Sequence, residues 1–235
     1  MGGSVSVLDH GFVRLVDHMG SDLSIARAAR VSYDAAWRAG EDAGSDAKLI
    51  RYLWRHQHST PFEAVTFTFE VKAPIFVFRQ WHRHRTWSYN ELSARYRELP
   101  EEAYVPDPAL IGKQSASSKQ ARDLVAPAAG IMAEREGQVA ALRESHAAAF
   151  KVYRGLLEAG WPREIARSAL PVATYSHMFA TVDLLNLLRF LSLRSDAHAQ
   201  YEIRVYADAL LELIRPIVPI ATSAWEGGTP AAAST

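Results

Sequence analysis

The chain has 235 residues, 49% of them hydrophobic and 22% charged, an ordinary globular composition with enough apolar material for a core. Its 26 lysines and arginines balance 26 aspartates and glutamates, so bulk charge does not favour a nucleic-acid partner or an anionic membrane. The absence of cysteine excludes disulfides, thiolate metal ligands and a cysteine nucleophile.

Targeting and membrane signals are also missing from the sequence. Residues 1–11 have no basic region followed by an apolar run, and no run of about 18 uninterrupted apolar residues occurs. We therefore expect no secretory signal, no membrane partner and a cytoplasmic location. We expect residues 1–226 to form one domain, and the small, polar residues 227–235 to form a disordered tail.

Periodicity and capping signals predict the elements of the first 80 residues. Apolar residues within 12–16 predict a short strand, and Asp22 is the predicted N-cap of the next helix. After an acidic loop, a second helix is predicted over Ala47–Arg55. Alternation over Val65–Lys72 predicts a half-buried strand, and Pro74 suits the first turn of a further helix.

The second half of the chain is predicted to be mostly helical. Residues Ser117–Ala159 predict two helices divided near Pro127 and Gly130. A short helix opening at residues 161–164, a strand over Ala173–Phe179, and helices over Asp183–Leu193 and His198–Ile217 follow. The mixture predicts a helix-rich α+β fold without regular βαβ alternation.

Residues 83–96, RHRTWSYNELSARY, follow neither helical nor strand periodicity. We call them the arginine block. Its arginines, Arg83, Arg85 and Arg95, have the fork geometry that matches phosphate oxygens, and they can stack on a flat ring. Glu91 can accept from a ring N–H or a ribose hydroxyl, and Asn90 can both donate and accept. This density predicts a site for a phosphorylated heteroaromatic ligand.

A simpler interpretation of the arginine block is a solvated basic loop in which Glu91 pairs with Arg95 at helical spacing. A plain surface loop, however, rarely needs Trp87, Tyr89 and Tyr96 as well. We therefore favour the ligand site, with the small Ser88 and Ser93 allowing a planar ligand to approach closely.

Three other clusters have simpler explanations. The pairs His56/His58 and His82/His84 could bind zinc from one face of a strand, but no third ligand is obvious and nearby arginines repel a cation. We predict no metal site. Arg163 and Arg167 share a helical face, where surface ion pairs suffice. Arg194 ends an apolar helix, where it complements the helix dipole.

The arginine block resembles the RHRxxSxNExSxRY signature of the flavin-dependent thymidylate synthases at all nine defined positions. Flanking segments are similar too, and the resemblance spans residues 12–219. These segments read HSTPFE, FTFEVKAPIF, REIARSALP and LRSDAHAQYEIRVYA.

The resemblance implies a specific activity and assembly. Members of this family convert dUMP to dTMP with 5,10-methylenetetrahydrofolate as carbon donor, FAD as cofactor and NADPH as reductant. The implied fold is that of a thymidylate synthase-complementing protein, a helix-rich α+β subunit with a central antiparallel sheet. The implied assembly is a homotetramer with shared active sites.

The resemblance also assigns site residues by position. The dUMP positions are Gln80, Arg83, Glu91, Leu92, Ser93, Ala94, Arg95, Arg167 and Arg194. The FAD positions are His58, Thr60, Arg83, His84, Arg85, Ser88, Asn90, Glu91, Asp183, Leu185 and Arg189. The chain departs from many relatives at the last three, with Asp183 and Leu185 in place of Asn-x-Arg, and Arg189 in place of Asn or His. Backbone contacts could persist at these positions.

The missing cysteine constrains the mechanism that the resemblance implies. Classical thymidylate synthases attack C6 of dUMP with a thiolate, which this chain lacks. The uracil must instead be activated electrostatically, and we assign that catalytic role to Arg194, helped by Arg95. Two alternatives stay open: a non-catalytic nucleotide or RNA module, and a flavoprotein oxidase without methylene transfer.

Overall fold

A computed structural model describes residues 3–116, 122–124 and 128–228. Within this part, five strands form one antiparallel sheet in the order β1-β2-β3-β7-β4. Their bounds are β1 Ser4–Val7, β2 Gly11–Met19, β3 Thr66–Pro74, β4 Ser88–Glu91 and β7 Tyr175–Asp183. A separate two-stranded hairpin pairs β5 Lys113–Gln114 with β6 Arg122–Asp123. The predicted central antiparallel sheet is confirmed.

β3 is the middle strand of the sheet and carries its core. It pairs with β2 on one side and with β7 along its whole length on the other, from Thr66 opposite Asp183 to Pro74 opposite Tyr175. The alternation in its sequence buries Phe67, Phe69 and Val71 completely. The predicted strand is therefore confirmed, extended to Pro74.

Helices cover the sheet and account for most of the remaining described chain. Their bounds are α1 Asp22–Arg30, α2 Ala43–Arg55, α3 Ile75–Trp81, α4 Ala129–Glu158, α5 Arg163–Ala166, α6 Leu184–Arg194, α7 Tyr201–Ile214 and α8 Pro219–Glu226. Short 3-10 helices lie at Thr60–Ala64 and Arg167–Ala169. None of the helices in the described ranges is long and apolar enough to cross a bilayer.

The largest error of prediction concerns residues 117–159. Instead of two helices, residues 122–123 form strand β6, and one 30-residue helix, α4, begins at Ala129. Gly130 lies in the first turn of α4, where few hydrogen bonds depend on it, so it does not divide the helix. Pro127 lies outside the described residues, as do residues 229–235 of the predicted tail.

Two predicted helix starts were also wrong. α2 begins at Ala43, four residues earlier than expected, because the Asp42 carboxylate accepts from the backbone amides of Gly44 and Ser45. The N-cap of α1 is Ser21 rather than Asp22. The Asp22 carboxylate instead accepts from the amides of Ile220 (2.8 Å) and Ala221 (3.0 Å), at the start of α8.

We expect Asp22→Ala to lower the free energy of unfolding by about 2 kcal/mol, because two amide donors at the start of α8 lose their acceptor. Urea denaturation followed by circular dichroism measures this change. Asp17→Ala is the matched control, since the exposed Asp17 carboxylate bonds only the next amide in the part of the chain described, and should change stability by less than about 0.5 kcal/mol. Equal losses in both variants would contradict the account.

Candidate active site

The arginine block is attached to the core through its aromatic residues. The Tyr89 hydroxyl on β4 donates to the carbonyls of Trp81 (3.1 Å) and His84 (2.8 Å), which fixes the turn between α3 and β4. Trp87 is buried, with its ring 5.2 Å from that of Phe190. These aromatic rings hold the block in place, while Arg83 and Arg85 stay exposed.

Arg194 joins the ends of two helices beside this turn. It is the last residue of α6, and its Nε donates to Nε2 of His84 at 3.0 Å. One of its terminal nitrogens donates to the backbone carbonyl oxygen of Gln80, in the last turn of α3, at 3.3 Å. The guanidinium therefore lies at two helix C-termini, where its positive charge is favourable. The predicted dipole role therefore applies, and the two hydrogen bonds also fix the position of the guanidinium.

The contact with Arg194 sets the protonation state of His84. Since Nε2 accepts a hydrogen bond, the ring must be neutral with its proton on Nδ1. Burial, and then the charge of Arg194, lower the pKa of His84 to about 4. Burial also lowers the pKa of Arg194 itself.

A cavity of about 510 Å³ opens beside these groups, and Gln80, Arg194 and Gln200 line it. A larger cavity, of about 630 Å³, lies between the segment around Tyr104–Pro108 and α4, and none of the predicted site residues lines it. The smaller cavity therefore brings together two of the residues predicted to contact the nucleotide.

The turn after β4 carries the other predicted nucleotide contacts. Oε1 of Glu91 accepts from the Ser176 hydroxyl at 2.7 Å, and the amide of Leu92 donates to the carbonyl of His177 at 2.7 Å. The Ser93 hydroxyl accepts from the amide of Arg95 at 3.3 Å, while Ala94 is buried. The Glu91–Arg95 pair of the simpler interpretation does not form, because β4 is extended and Glu91 bonds across the sheet.

Arg95 and Arg167 both contact Glu164, Arg95 at its carboxylate and Arg167 at its backbone carbonyl. Nε of Arg95 lies 3.3 Å from a carboxylate oxygen of Glu164, and Nε of Arg167 donates to the Glu164 carbonyl at 3.3 Å. All three residues are exposed. Two cations predicted to contact the nucleotide thus share Glu164 as a partner, and Arg163 forms the predicted surface ion pair, with Glu98 at 3.7 Å.

The positions assigned to FAD converge at one end of the sheet. Ser88 and Asn90 project from the same face of β4, and Ser88 lies opposite Thr181, two residues before Asp183. Asp183 is the N-cap of α6, accepting from the amide of Asn186 at 2.9 Å. The 3-10 helix that begins at Thr60 packs against α6.

The remaining FAD positions differ in exposure. The Leu185 side chain is buried in the core, which leaves only its backbone for a ligand. His58 and Arg189 are exposed, and Arg189 donates to Oδ1 of Asn186 at 3.4 Å. Within the described residues, no ion pair engages Arg83 or Arg85, so both guanidinium groups are available to an anion.

The histidine pairs do not lie on strands. His56 is the C-cap of α2, and the left-handed backbone of Gln57 (φ 57°) separates it from His58. His82 packs edge-on against Tyr89, with ring centroids 4.7 Å apart. Over residues 3–116, 122–124 and 128–228, no group of three or more His, Cys, Asp or Glu side chains is arranged to hold a metal ion.

Four supporting residues of the site were not assigned a role from the sequence: Glu164, Ser176, Gln200 and Glu202. Ser176 contacts Glu91 across 85 residues of sequence, through the pairing of β4 with β7, and no local pattern indicates such a contact. Gln200 and Glu202 lie in the AHAQYEI segment that supported the resemblance, but their partners depend on how α7 packs.

Comparisons with known proteins identify the family of the chain. The family model described as thymidylate synthase complementing protein matches residues 14–220. A flavin-dependent thymidylate synthase of Thermus thermophilus is 48% identical over 223 residues, covering 95% of this chain and 78% of that protein. The corresponding protein of Treponema pallidum is 45% identical over 222 residues, covering 94% and 70%.

A solved structure is similar over almost the whole chain. The crystal structure of the UMP/dUMP methylase PolB from Streptomyces cacaoi, bound with 5-Br dUMP, has a TM-score of 0.83 and 38% identity, covering 95% of this chain and 97% of that one. The same protein bound with 5-Br UMP has a TM-score of 0.82.

We expect the His84 ring to stay neutral, as the Nδ1–H tautomer, down to about pH 5 and to titrate near pH 4. Since the unfolded chain protonates at about pH 6.5, the stability from this group should fall as pH drops from there to about 4. Imidazole ¹⁵N shifts measure the tautomer and the titration. Arg194→Met should raise the His84 pKa, and Arg189→Met, on the same helix, should not. A wild-type titration near pH 6.5 would contradict the account.

Proposed function

The chain belongs to the thymidylate synthase complementing protein family and is an enzyme, a flavin-dependent thymidylate synthase; from this premise, we propose that it converts dUMP to dTMP. We propose FAD as cofactor, 5,10-methylenetetrahydrofolate as carbon donor and NADPH as reductant, in the cytoplasm. The observation that carries the proposal is the position of Arg194, which lines a cavity while His84 and Gln80 hold its guanidinium.

The residues assigned to dUMP suit an anionic nucleotide, although only Gln80 and Arg194 among them line this cavity. We propose that Arg95 and Arg167, which both contact Glu164, take part in binding the phosphate, and that Arg83 adds a further cation. Glu91, whose Oε1 accepts from Ser176, keeps its second oxygen for a sugar or ring donor. Backbone groups of Leu92 and Ala94 and the Ser93 hydroxyl line the turn beside Arg95. Gln80 contributes from α3.

The donors at the other end of β4 fit a flavin dinucleotide. Arg83 and Arg85 are exposed cations that precede and follow His84 in the sequence, and their charge suits a pyrophosphate. Ser88, Asn90 and Thr60 add polar groups, and Asp183, Leu185, Arg189 and His58 complete the proposed set. When bound, FAD would supply the redox chemistry, passing reducing equivalents from NADPH to the transferred carbon.

In the proposed mechanism, the side chains activate uracil without forming a covalent bond to it. Arg194 faces the ring at N3 and O4 and stabilises negative charge there, which makes C5 more nucleophilic. Arg95 helps Arg194 by adding positive charge to the nucleotide site. Ser93 is not a nucleophile in this scheme, because in the described chain its hydroxyl bonds only a backbone amide, with no histidine base beside it.

We further propose that the enzyme assembles as a homotetramer with active sites shared between subunits. Large aromatic side chains exposed on the surface of the single subunit support this proposal, because a partner subunit could cover them. Tyr33 is 87% exposed and Trp37 is 72% exposed. Analytical ultracentrifugation should give four times the 26.1 kDa mass of one chain. A single-chain mass at micromolar concentration would contradict the proposal.

The proposed reaction predicts that the purified protein is yellow and forms dTMP from dUMP, methylenetetrahydrofolate and NADPH. Arg194→Ala should lower turnover by about 10²–10³-fold, because the charge developing on uracil loses its stabilising cation. FAD affinity, measured by flavin fluorescence, should change by less than about threefold in the same variant. Arg215→Ala removes an exposed arginine paired with Glu226 and serves as the matched control, with turnover near wild type.

Two results would separate the alternatives. NADPH oxidation with oxygen but no dTMP would identify a flavoprotein oxidase, and colourless protein that binds nucleotide would identify a non-catalytic module. Arg194→Ala protein that loses FAD but turns over normally after reconstitution would show that the role assigned to Arg194 is wrong.

A further inference from the structure

Glu202 is a buried carboxylate whose role the proposed reaction does not yet explain. It lies in the first turn of α7 and is only 2% exposed. Burying a carboxylate is costly unless its oxygens are hydrogen-bonded, and each oxygen here has a partner. Oε1 accepts from Arg122 at 2.7 Å and from Tyr104 at 3.1 Å, while Oε2 accepts from Nε2 of Gln200 at 2.9 Å.

The bond to Oε2 fixes the orientation of the Gln200 amide. An ionised carboxylate only accepts hydrogen bonds, so the Gln200 group that faces it must be the NH₂. The Gln200 carbonyl oxygen then points the other way, toward Gln80. Gln80 meets it with its own NH₂ group in a close hydrogen bond.

The same logic fixes the amide of Gln80. Since its NH₂ is directed to Gln200, its carbonyl oxygen is directed away from Gln200, and this oxygen makes no hydrogen bond to any described residue. Gln80, Gln200 and Arg194 line the same cavity. In this arrangement the cavity offers donors from Arg194 and an acceptor from Gln80.

We infer that Glu202 is a positioning residue for nucleotide binding. Acting through Gln200, it keeps the side-chain carbonyl oxygen of Gln80 available to a hydrogen-bond donor of the substrate. The donor is an N–H of the ring or a hydroxyl of the ribose. This inference rests on the proposed function, because it assumes that dUMP occupies this cavity. A glutamine without such a relay can rotate its amide and present an NH₂ group, which repels a donor.

The two carboxylate oxygens of Glu202 have different roles. Oε1 has a structural role, and Oε2 has the positioning role. Arg122 also lies over the ring of Tyr201, 5.5 Å from its centroid, so the Oε1 side attaches β6 to the start of α7. Burial, and then the charge of Glu202, raise the pKa of Tyr104, which therefore donates to Oε1. Neither partner of Oε1 contacts Gln200 among the described residues.

Glu202→Gln tests the relay with an isosteric change. Arg122 and Tyr104 can only donate here, so the new amide must turn its carbonyl oxygen toward them and its NH₂ toward Gln200. The amides of Gln200 and Gln80 then both reverse, and Gln80 presents an NH₂ to the substrate. We expect dUMP to bind about tenfold more weakly, equivalent to ~1.4 kcal/mol.

The decisive measurement is a double-mutant cycle with Gln80→Met, using dUMP binding to the FAD-loaded full chain by isothermal titration calorimetry. Gln80→Met removes the acceptor and should also weaken binding by about tenfold. Because Glu202 acts through Gln80, Glu202→Gln should add less than about twofold in the Gln80→Met background. Losses that multiply to about a hundredfold, or wild-type binding by Glu202→Gln, would overturn the inference.

Controls distinguish positioning from folding. Tyr104→Phe removes one bond to Oε1 and should lower the melting temperature while dUMP affinity stays within about twofold. A loss of affinity in Tyr104→Phe that matches Glu202→Gln would assign both effects to stability and overturn the inference. Should Glu202→Gln fail to fold, Gln200→Met breaks the same relay with the Oε1 bonds intact, and the cycle applies unchanged.

The outcome also separates this inference from the proposed function. A wild-type protein that does not bind dUMP would contradict the proposed function itself. The positioning role alone would be overturned by a different pattern of dUMP affinities. In that pattern the wild type binds dUMP, Gln80→Met binds it more weakly, and the loss caused by Glu202→Gln adds in full to the loss caused by Gln80→Met.

Discussion

The guanidinium of Arg194 is the constraint on which the rest of the site depends. It bonds the ring of His84 and the backbone carbonyl of Gln80, so the C-terminal ends of α6 and α3 meet at one point. Tyr89 then fixes the carbonyl of His84 from the β4 side. Through these three bonds the arginine block acquires a defined position relative to the cavity, although most of its own side chains are exposed.

This constraint has an electrostatic consequence. This cation lies at the C-terminal ends of two helices and bonds a neutral histidine, and it has no carboxylate partner among the described residues. Its charge therefore remains available to a ligand. In the mechanism that we propose for a chain without a thiol, activation of uracil comes from such a charge. Burial strengthens this effect, because solvent screens the arginine less than it screens the exposed Arg83 and Arg85.

Local sequence predicted the parts of the structure that depend on local physics. The alternation in β3 and the helix predicted over Asp183–Leu193 follow from short-range rules, and the spacing within the arginine block was enough to indicate the family. The bonds that organise the site were not predictable in this way. Glu91 with Ser176, and Gln80 with Gln200, are joined only by strand pairing and helix packing over 85 and 120 residues. The simpler interpretation of the block, a Glu91–Arg95 pair, assumed a helical geometry that the extended strand β4 does not have.

The central claim is that Arg194 stabilises negative charge on the uracil ring. Ultraviolet difference titration of dUMP bound to the FAD-loaded protein measures ionisation at N3 directly. The account predicts that the ring pKa of bound dUMP lies at least about one pH unit below that of free dUMP, ~1.4 kcal/mol, and returns to the free value in Arg194→Met. An unshifted pKa in the wild type, or a lowered pKa that persists in Arg194→Met, would contradict it.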